Sequence, residues 1–249
     1  MPLTTFRPFQ RRFALNFSSG LLLCALAFIL FGATSLRADN RLLALVGGEN
    51  PGQSEIKSIL QNVILAERPA VQHEEQMRFL EASAFARYRM VVIAGRAERA
   101  YSAEESQVIE EYIKGGGKLL LIHEAPLSFP ATTAESGHNE AFFFGRSYYR
   151  RDNPLCEILR PKDPVLSGAL QGNNSPFWLH GVILLKNPEW DNLIGSGDLI
   201  LVGKRKMERG EVYFLGHELF RLMANASKEG KGEDVEGWRQ ILKNILSES

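Results

Sequence analysis

Residues 113–126, IKGGGKLLLIHEAP, constrain the fold of this chain more than any other stretch. Three consecutive glycines, Gly115 to Gly117, are costly to hold inside a helix or a strand, so they end whatever precedes them. The residues before them read as a helix. Ser102 and Glu105 have the S-x-x-E spacing of a capping box, and Val108, Ile109, Tyr112 and Ile113 fall on one apolar stripe. The residues after them, Leu119 to Ile122, read as a short buried strand. Upstream of the helix, YRMVVIAG (residues 88–95) is a second clear strand, with residues 96–101 as its exit loop. Strand, helix and strand in this order make a βαβ unit, whose strands are parallel and whose crossover is right-handed. Both strands are unbroken apolar runs, VVIA and LLLI, as expected of strands covered on both faces. Ligands of such open sheets sit outside the carboxyl ends of the strands. The strand 119–122 delivers His123 and Glu124 to that end, in a turn closed by Pro126.

The remaining elements extend this pattern. RLLALV (41–46), stopped by Gly47 and Gly48, is a first buried strand, and residues 54–66 have helical spacing. Residues 69–81 fit either a strand near Val71 or a helix through Met77 and Leu80. Residues 127–153 show no clear period. They hold Phe142, Phe143, Phe144, Tyr148 and Tyr149 among Gly145, Arg146, Arg150 and Arg151. A loop of this length is either functional or a set of aromatics covering the sheet edge. Residues 155–159 read as an edge strand, 179–185 and 199–202 as further strands, and 208–211 as a turn. EVYFL (211–215) is the last strand, ended by Gly216, His217 and Glu218. An amphipathic helix over 234–246 closes the chain.

The sequence has 249 residues, 45% hydrophobic and 23% charged, which suits a globular domain. Its N-terminus reads as an export signal over residues 1–38. Arg7, Arg11 and Arg12 form a positive region, residues 21–31 are apolar, and small residues offer cleavage after Ser35 or Ala38. The apolar run is shorter than the roughly 20 residues that span a bilayer. An uncleaved membrane anchor is the other reading. Either way the segment engages the membrane during export, and the domain, residues 39–249, is expected in the periplasm or outside the cell. Cleavage leaves Cys156 alone, so the domain relies on its core and not on a disulfide. Four of the 29 basic residues and none of the 29 acidic ones precede Asp39, so the domain carries a balance of −4. Nucleic acid is not an expected partner, because there is no basic surplus to meet a phosphate backbone.

Four strand tips collect polar groups: Glu49 with Asn50, Arg96, His123 with Glu124, and His217 with Glu218. The two His–Glu pairs are the sharpest signal. Each follows an apolar strand directly, and two parallel strand tips can face each other across one crevice. Imidazole and carboxylate together serve as general acid and base near neutral pH, and the same set suits a divalent metal. The plainer reading is that each histidine hydrogen-bonds locally and caps the next helix. No nucleophile stands out. Cys156 reads as a buried residue, and Ser128 lacks a G-x-S-x-G context. Neither phosphate-binding glycine motif is present, so no nucleotide cofactor is expected. His138 lies in a polar loop, His180 at the start of a strand, and His73 in the ambiguous segment.

The order YRMVVIAG, SAEESQVIEEYIKGGGKLLLIHEA and RGEVYFLGHELF resembles the class I glutamine amidotransferase-like superfamily, and within it the ThuA-like (trehalose utilisation) branch. The resemblance also includes FFFGRSYYRRDNP, the D-P-V-x-x-G element from Asp163 to Gly168, and a final strand marked by Gly210, Val212, Gly216 and His217. It implies an α/β fold, a flavodoxin-like three-layer sandwich with a mostly parallel central sheet. It also implies sugar metabolism, including oxidised (keto) sugars. True amidotransferases carry a nucleophilic cysteine at the elbow after the glycine-stopped strand. This chain has His123 there, and Glu218 follows His217 directly where amidotransferases interpose one residue. The resemblance therefore argues against glutamine hydrolysis. The first strand tip, residues 45–50, also lacks the histidine-rich sequence often seen in the branch. Two functions fit. One is a carbohydrate-binding or carbohydrate-processing domain. It would use His123, Glu124, His217 and Glu218 as reacting groups, and Glu49, Arg96 and Tyr148 as substrate contacts. The other is a non-catalytic module that binds an envelope protein.

Overall fold

The structure, a computed structural model, describes residues 39–46, 72–76, 82–97, 99–129, 139–141, 145–150, 155–169, 177–178, 181–185, 188–216 and 233–248. These lie in one compact unit, Ala38–Ser249. The segment 1–38 read as an export signal, the helix expected over 54–66, Glu49, His138, His180, His217 and Glu218 fall outside the described residues.

The longest apolar runs lie side by side. β1 (Asp39–Val46), β3 (Tyr88–Ala94), β4 (Lys118–Ile122) and β12 (Gly210–Leu215) run parallel, with β2 (Gln72–Gln76) outside β1. The order β2-β1-β3-β4-β12 is the 2-1-3-4-5 order of flavodoxin-like sheets. Past β12 the sheet becomes antiparallel through β11 (Leu199–Met207), β10 (Asp191–Ser196), β7 (Leu155–Ile158) and β8 (Phe177–Trp178). β9 (Gly181–Leu185) also pairs with β11 and carries β6 (Gly145–Arg150), which in turn carries β5 (Asn139–Ala141). A parallel core thus continues into an antiparallel wing.

Side chains alternate across the parallel strands and build two cores. Val91, Ile93, Leu119, Leu121, Val212 and Phe214 face α2 (Ala103–Lys114) and α1 (Ala82–Phe85), packing with Ile109, Ile113 and Phe85. Met90, Val92, Leu120, Ile122, Tyr213 and Leu215 face α3 (Glu233–Ser247), packing with Trp238, Ile241, Leu242 and Ile245. Each such side chain stabilises the fold by about 1.5–3 kcal/mol. Helices on both faces make the three layers expected from the sequence. The D-P-V-x-x-G element docks α3. Asp163 caps the 3-10 turn Pro164–Leu166 by accepting from the Val165 N–H, and Asn244 Nδ2 donates to the carbonyls of Val165 (2.9 Å) and Ser167 (2.7 Å). One turn further along the chain, the buried Tyr213 hydroxyl lies 2.5 Å from a Glu211 carboxylate oxygen and 2.7 Å from one of Glu248. Lys118 Nζ donates to the Glu248 carbonyl.

The glycines act through close approach. Gly116 has φ +111°, which turns the chain sharply out of α2. A Cβ on Gly210, at the start of β12, would lie 2.0 Å from the Ile113 carbonyl and 2.3 Å from that of Gly117. The end of α2 and the start of β12 therefore meet backbone to backbone.

Of the two readings of residues 69–81, the strand holds, as β2, while other elements depart from their expected form. β10 leaves no mark in the apolar pattern, because D-N and G-S bracket only two apolar residues, Leu193 and Ile194. β11 continues to Met207, five residues past the expected end. GKRKM is polar, yet it pairs with β12 as far as Met207 and Gly210. The aperiodic region 127–153 holds β5 and β6.

Two outcomes are expected for stability. Gly210→Ala should cost about 2–3 kcal/mol in urea unfolding by forcing two backbones apart. Gly197→Ala, where a Cβ would meet nothing within 4 Å and only φ +56° resists, should cost about 1 kcal/mol. The second concerns the cap of α2. Ser102 Oγ accepts from the Glu105 N–H (3.1 Å), and the Glu105 carboxylate accepts from the Ser102 N–H (2.7 Å). Ser102→Ala should cost about 1 kcal/mol. The Arg99 guanidinium, together with the Ser102 N–H, holds the Glu105 carboxyl below the usual carboxylate range. Its folded value lies below its unfolded one, so this contribution is complete above the ordinary carboxylate range and is lost as pH falls through the folded value. Glu105→Gln should flatten that acid limb in a stability-against-pH series.

Candidate functional site

Val46, Ala94, Ile122 and Leu215 are partners in register, so four parallel strands end at one level. The ladder runs one residue further. Gly95 N–H donates to the Ile122 carbonyl (3.2 Å), His123 N–H to the Leu215 carbonyl (2.8 Å), and Gly216 N–H to the Leu201 carbonyl (2.8 Å). Adjacent tips are about 4.8 Å apart, the spacing of paired strands.

His123 has φ +54°, a left-handed conformation that costs a residue with a Cβ about 1–2 kcal/mol. Among the described residues only Glu208 shares this property without being glycine. Glu208 lies in the two-residue turn between β11 and β12, where such φ values are what the turn requires. At His123 there is no hairpin. The chain leaves β4 directly into the 3-10 turn Ala125–Ser128, with Pro126 in its first turn. A sharp, strained passage from strand to helix at a sheet's carboxyl edge is the geometry of a nucleophile elbow. Here the elbow carries an imidazole that is 8% exposed. Strain of this kind persists only where the surroundings enforce it, and it clusters at functional sites.

The turn after the elbow is tied to the exit loop of β3. Ser128, 1% exposed, accepts from the Ala97 N–H at its Oγ (2.7 Å) and from the Tyr101 N–H at its carbonyl (2.7 Å). The Tyr101 and Phe129 rings meet edge-on at 5.1 Å. Burial pushes the Tyr101 hydroxyl well above its ordinary value, which keeps it neutral as part of this wall. Ser128 is thus not a nucleophile but the clamp between two tips. The sequence held only a weak sign of this role, a hydroxyl just after a proline turn, where it can bond a nearby amide.

Of the residues singled out in the sequence, Arg96, His123 and Glu124 come together on the adjacent tips of β3 and β4. Arg96 is exposed and Glu124 half-buried. Tyr148 belongs to β6, in register with Ile183, and β5 and β6 lie against the 3-10 turn that follows the elbow. His73 stands on β2 opposite Leu42. Cys156 is buried in the core beneath α3. β12 leads to His217 and Glu218, which follow Gly216 outside the described residues. Among the described residues no three His, Cys, Asp or Glu side chains gather as a metal set. The β4 tip offers two such groups, His123 and Glu124.

Comparison with known proteins places this geometry in a fold. No family model and no curated protein matches the sequence. Solved structures do match. A protein described as ThuA-like from Bacteroides uniformis is 11% identical, with a TM-score of 0.56 over 84% of this chain and 91% of that one. A cytoplasmic protein from Salmonella typhimurium is 13% identical, with a TM-score of 0.53 over 83% of this chain and 97% of that one. A second cytoplasmic protein from Salmonella typhimurium LT2 is 14% identical, with a TM-score of 0.51 over 84% and 98%. The chain thus has an α/β fold shared with a protein described as ThuA-like, in keeping with the fold that its sequence resemblance implied.

If strain at position 123 is retained for its side chain, removing the Cβ should relieve it. His123→Gly is expected to be more stable than His123→Ala by about 1 kcal/mol in urea unfolding, the reverse of the order at an ordinary strand end.

Proposed function

We propose that this ThuA-like domain is exported and binds, or acts on, a carbohydrate at the row of strand tips centred on His123. One observation carries the reading: a buried imidazole held in a strained elbow at the carboxyl end of the central parallel strand. In this reading His123 and His217 are the acid–base or metal-binding groups, with Glu124 and Glu218 orienting them. Glu49, Arg96 and Tyr148 contact the substrate. An imidazole at the elbow transfers protons or binds a metal. It does not supply the thiolate that glutamine hydrolysis requires. The carbohydrate class comes from the ThuA-like branch whose motifs and fold the chain shares. Export comes from the basic and apolar N-terminus.

The alternative is an envelope interaction module, and the absence of a thiol at the elbow favours it. Thermal shift of the full chain against divalent metals and a panel of neutral and oxidised sugars separates the two. A site ligand at a hundred times its Kd should stabilise the protein by about 2.7 kcal/mol, and His123→Ala and His217→Ala should each abolish the response. If no metal or sugar shifts the wild type, the interaction module becomes the better account.

A further inference from the structure

Resting on the reading that the tip row is the binding site, we propose that its ligand carries an oxyanion, a carboxylate or a phosphate, and that Arg96 anchors it. The strand order β2-β1-β3-β4 reverses direction between β1 and β3. The crevice at such a reversal, outside the carboxyl ends, is where open α/β sheets hold their ligands. Arg96 lies two residues past the end of β3, on the rim of that crevice and one strand from His123.

Its backbone is fixed on both sides. Gly95 N–H is bonded to the Ile122 carbonyl (3.2 Å), and Ala97 N–H to the buried Ser128 hydroxyl (2.7 Å). The guanidinium itself is exposed, so an exposed cation projects from a rigid base. Arg99, three residues on, shows the contrast. It forks onto both carboxylate oxygens of Glu105 at 2.7 and 2.5 Å and serves the cap of α2. Among the described residues no ion pair or hydrogen bond joins the Arg96 guanidinium to a carboxylate, and Glu105 is held by Arg99. Nor is Arg96 one charge in a general basic field, since the domain from Asp39 onward is acidic by four charges. A guanidinium stays charged at any physiological pH, and its planar fork matches carboxylate and phosphate oxygens two at a time. Fixing the backbone beneath it lowers the ordering cost of that contact.

The test is titration calorimetry of the full chain with a matched series: a neutral hexose, the corresponding sugar acid, the hexose phosphate, acetate and inorganic phosphate. The sugar acid or the sugar phosphate should bind about tenfold or more tightly than the neutral hexose. Which of the two does so identifies the oxyanion. Raising the salt concentration should weaken that binding selectively. Arg96→Gln should reduce the anionic ligand to the affinity of the neutral one, and Arg96→Lys should restore part of the difference. Ser128→Ala, which frees the loop, should lower anion affinity by a smaller factor. Equal affinity of the wild type for neutral and anionic sugars overturns the oxyanion anchor and leaves the carbohydrate site standing. So does an Arg96→Gln variant that still prefers the anion. Binding of no member of the series overturns both.

Discussion

The hydrogen bond from the His123 N–H to the Leu215 carbonyl, 2.8 Å long, is the contact on which the proposed site depends. It adds a last rung to the β4–β12 ladder after β4 has ended, and it holds the chain in a conformation that a residue with a Cβ avoids. β4 can enforce this because it cannot yield. Parallel neighbours flank it on both sides, and Leu119, Leu120, Leu121 and Ile122 are sealed between the two cores. The energy that compels the elbow comes from apolar burial along the strand. The imidazole at its end bears the consequence.

The register that lines up the tips is set at the opposite end of the strands. The Glu211 N–H donates to the Gly117 carbonyl (3.3 Å), and Gly210 has no room for a side chain against the backbone of Ile113 and Gly117. These contacts fix where β12 begins relative to β4. Because the strands are paired residue for residue from Glu211 and Lys118 upward, that choice brings Leu215 level with Ile122. A shift by one residue would turn every side chain to the other face and empty both cores. The glycines after α2 therefore help to place His123 without approaching it.

The parallel core was legible in the sequence because each of its signals was redundant. The helix between β3 and β4 had a cap, an apolar stripe and a stop, and the strands had unbroken apolar runs. The antiparallel wing was less legible. So was the outermost parallel strand, β2, which is polar, QHEEQ, and among the described strands pairs with β1 alone, so no apolar pattern marks it. The second half of β11 is polar, and its strand geometry comes from pairing with β12. Such pairing is a long-range contact that no local period records. The site divided in the same way. His123 and Glu124 could be placed from the run before them, and Arg96 from the end of β3. Nothing in the sequence signalled the left-handed backbone at His123, and a hydroxyl after a proline turn was only a weak sign of the two hydrogen bonds through Ser128, because both depend on which strands become neighbours.

The account holds that the chain bears a local strain so that an imidazole can serve a ligand at the sheet's edge. Titration calorimetry of the same sugar ligand into wild type and His123→Gly tests this most directly, with the stability of both proteins measured alongside. The account predicts that the glycine protein folds at least as stably as the wild type and loses ligand binding by tenfold or more, about 1.4 kcal/mol. A glycine protein that binds the ligand as tightly as the wild type would contradict it.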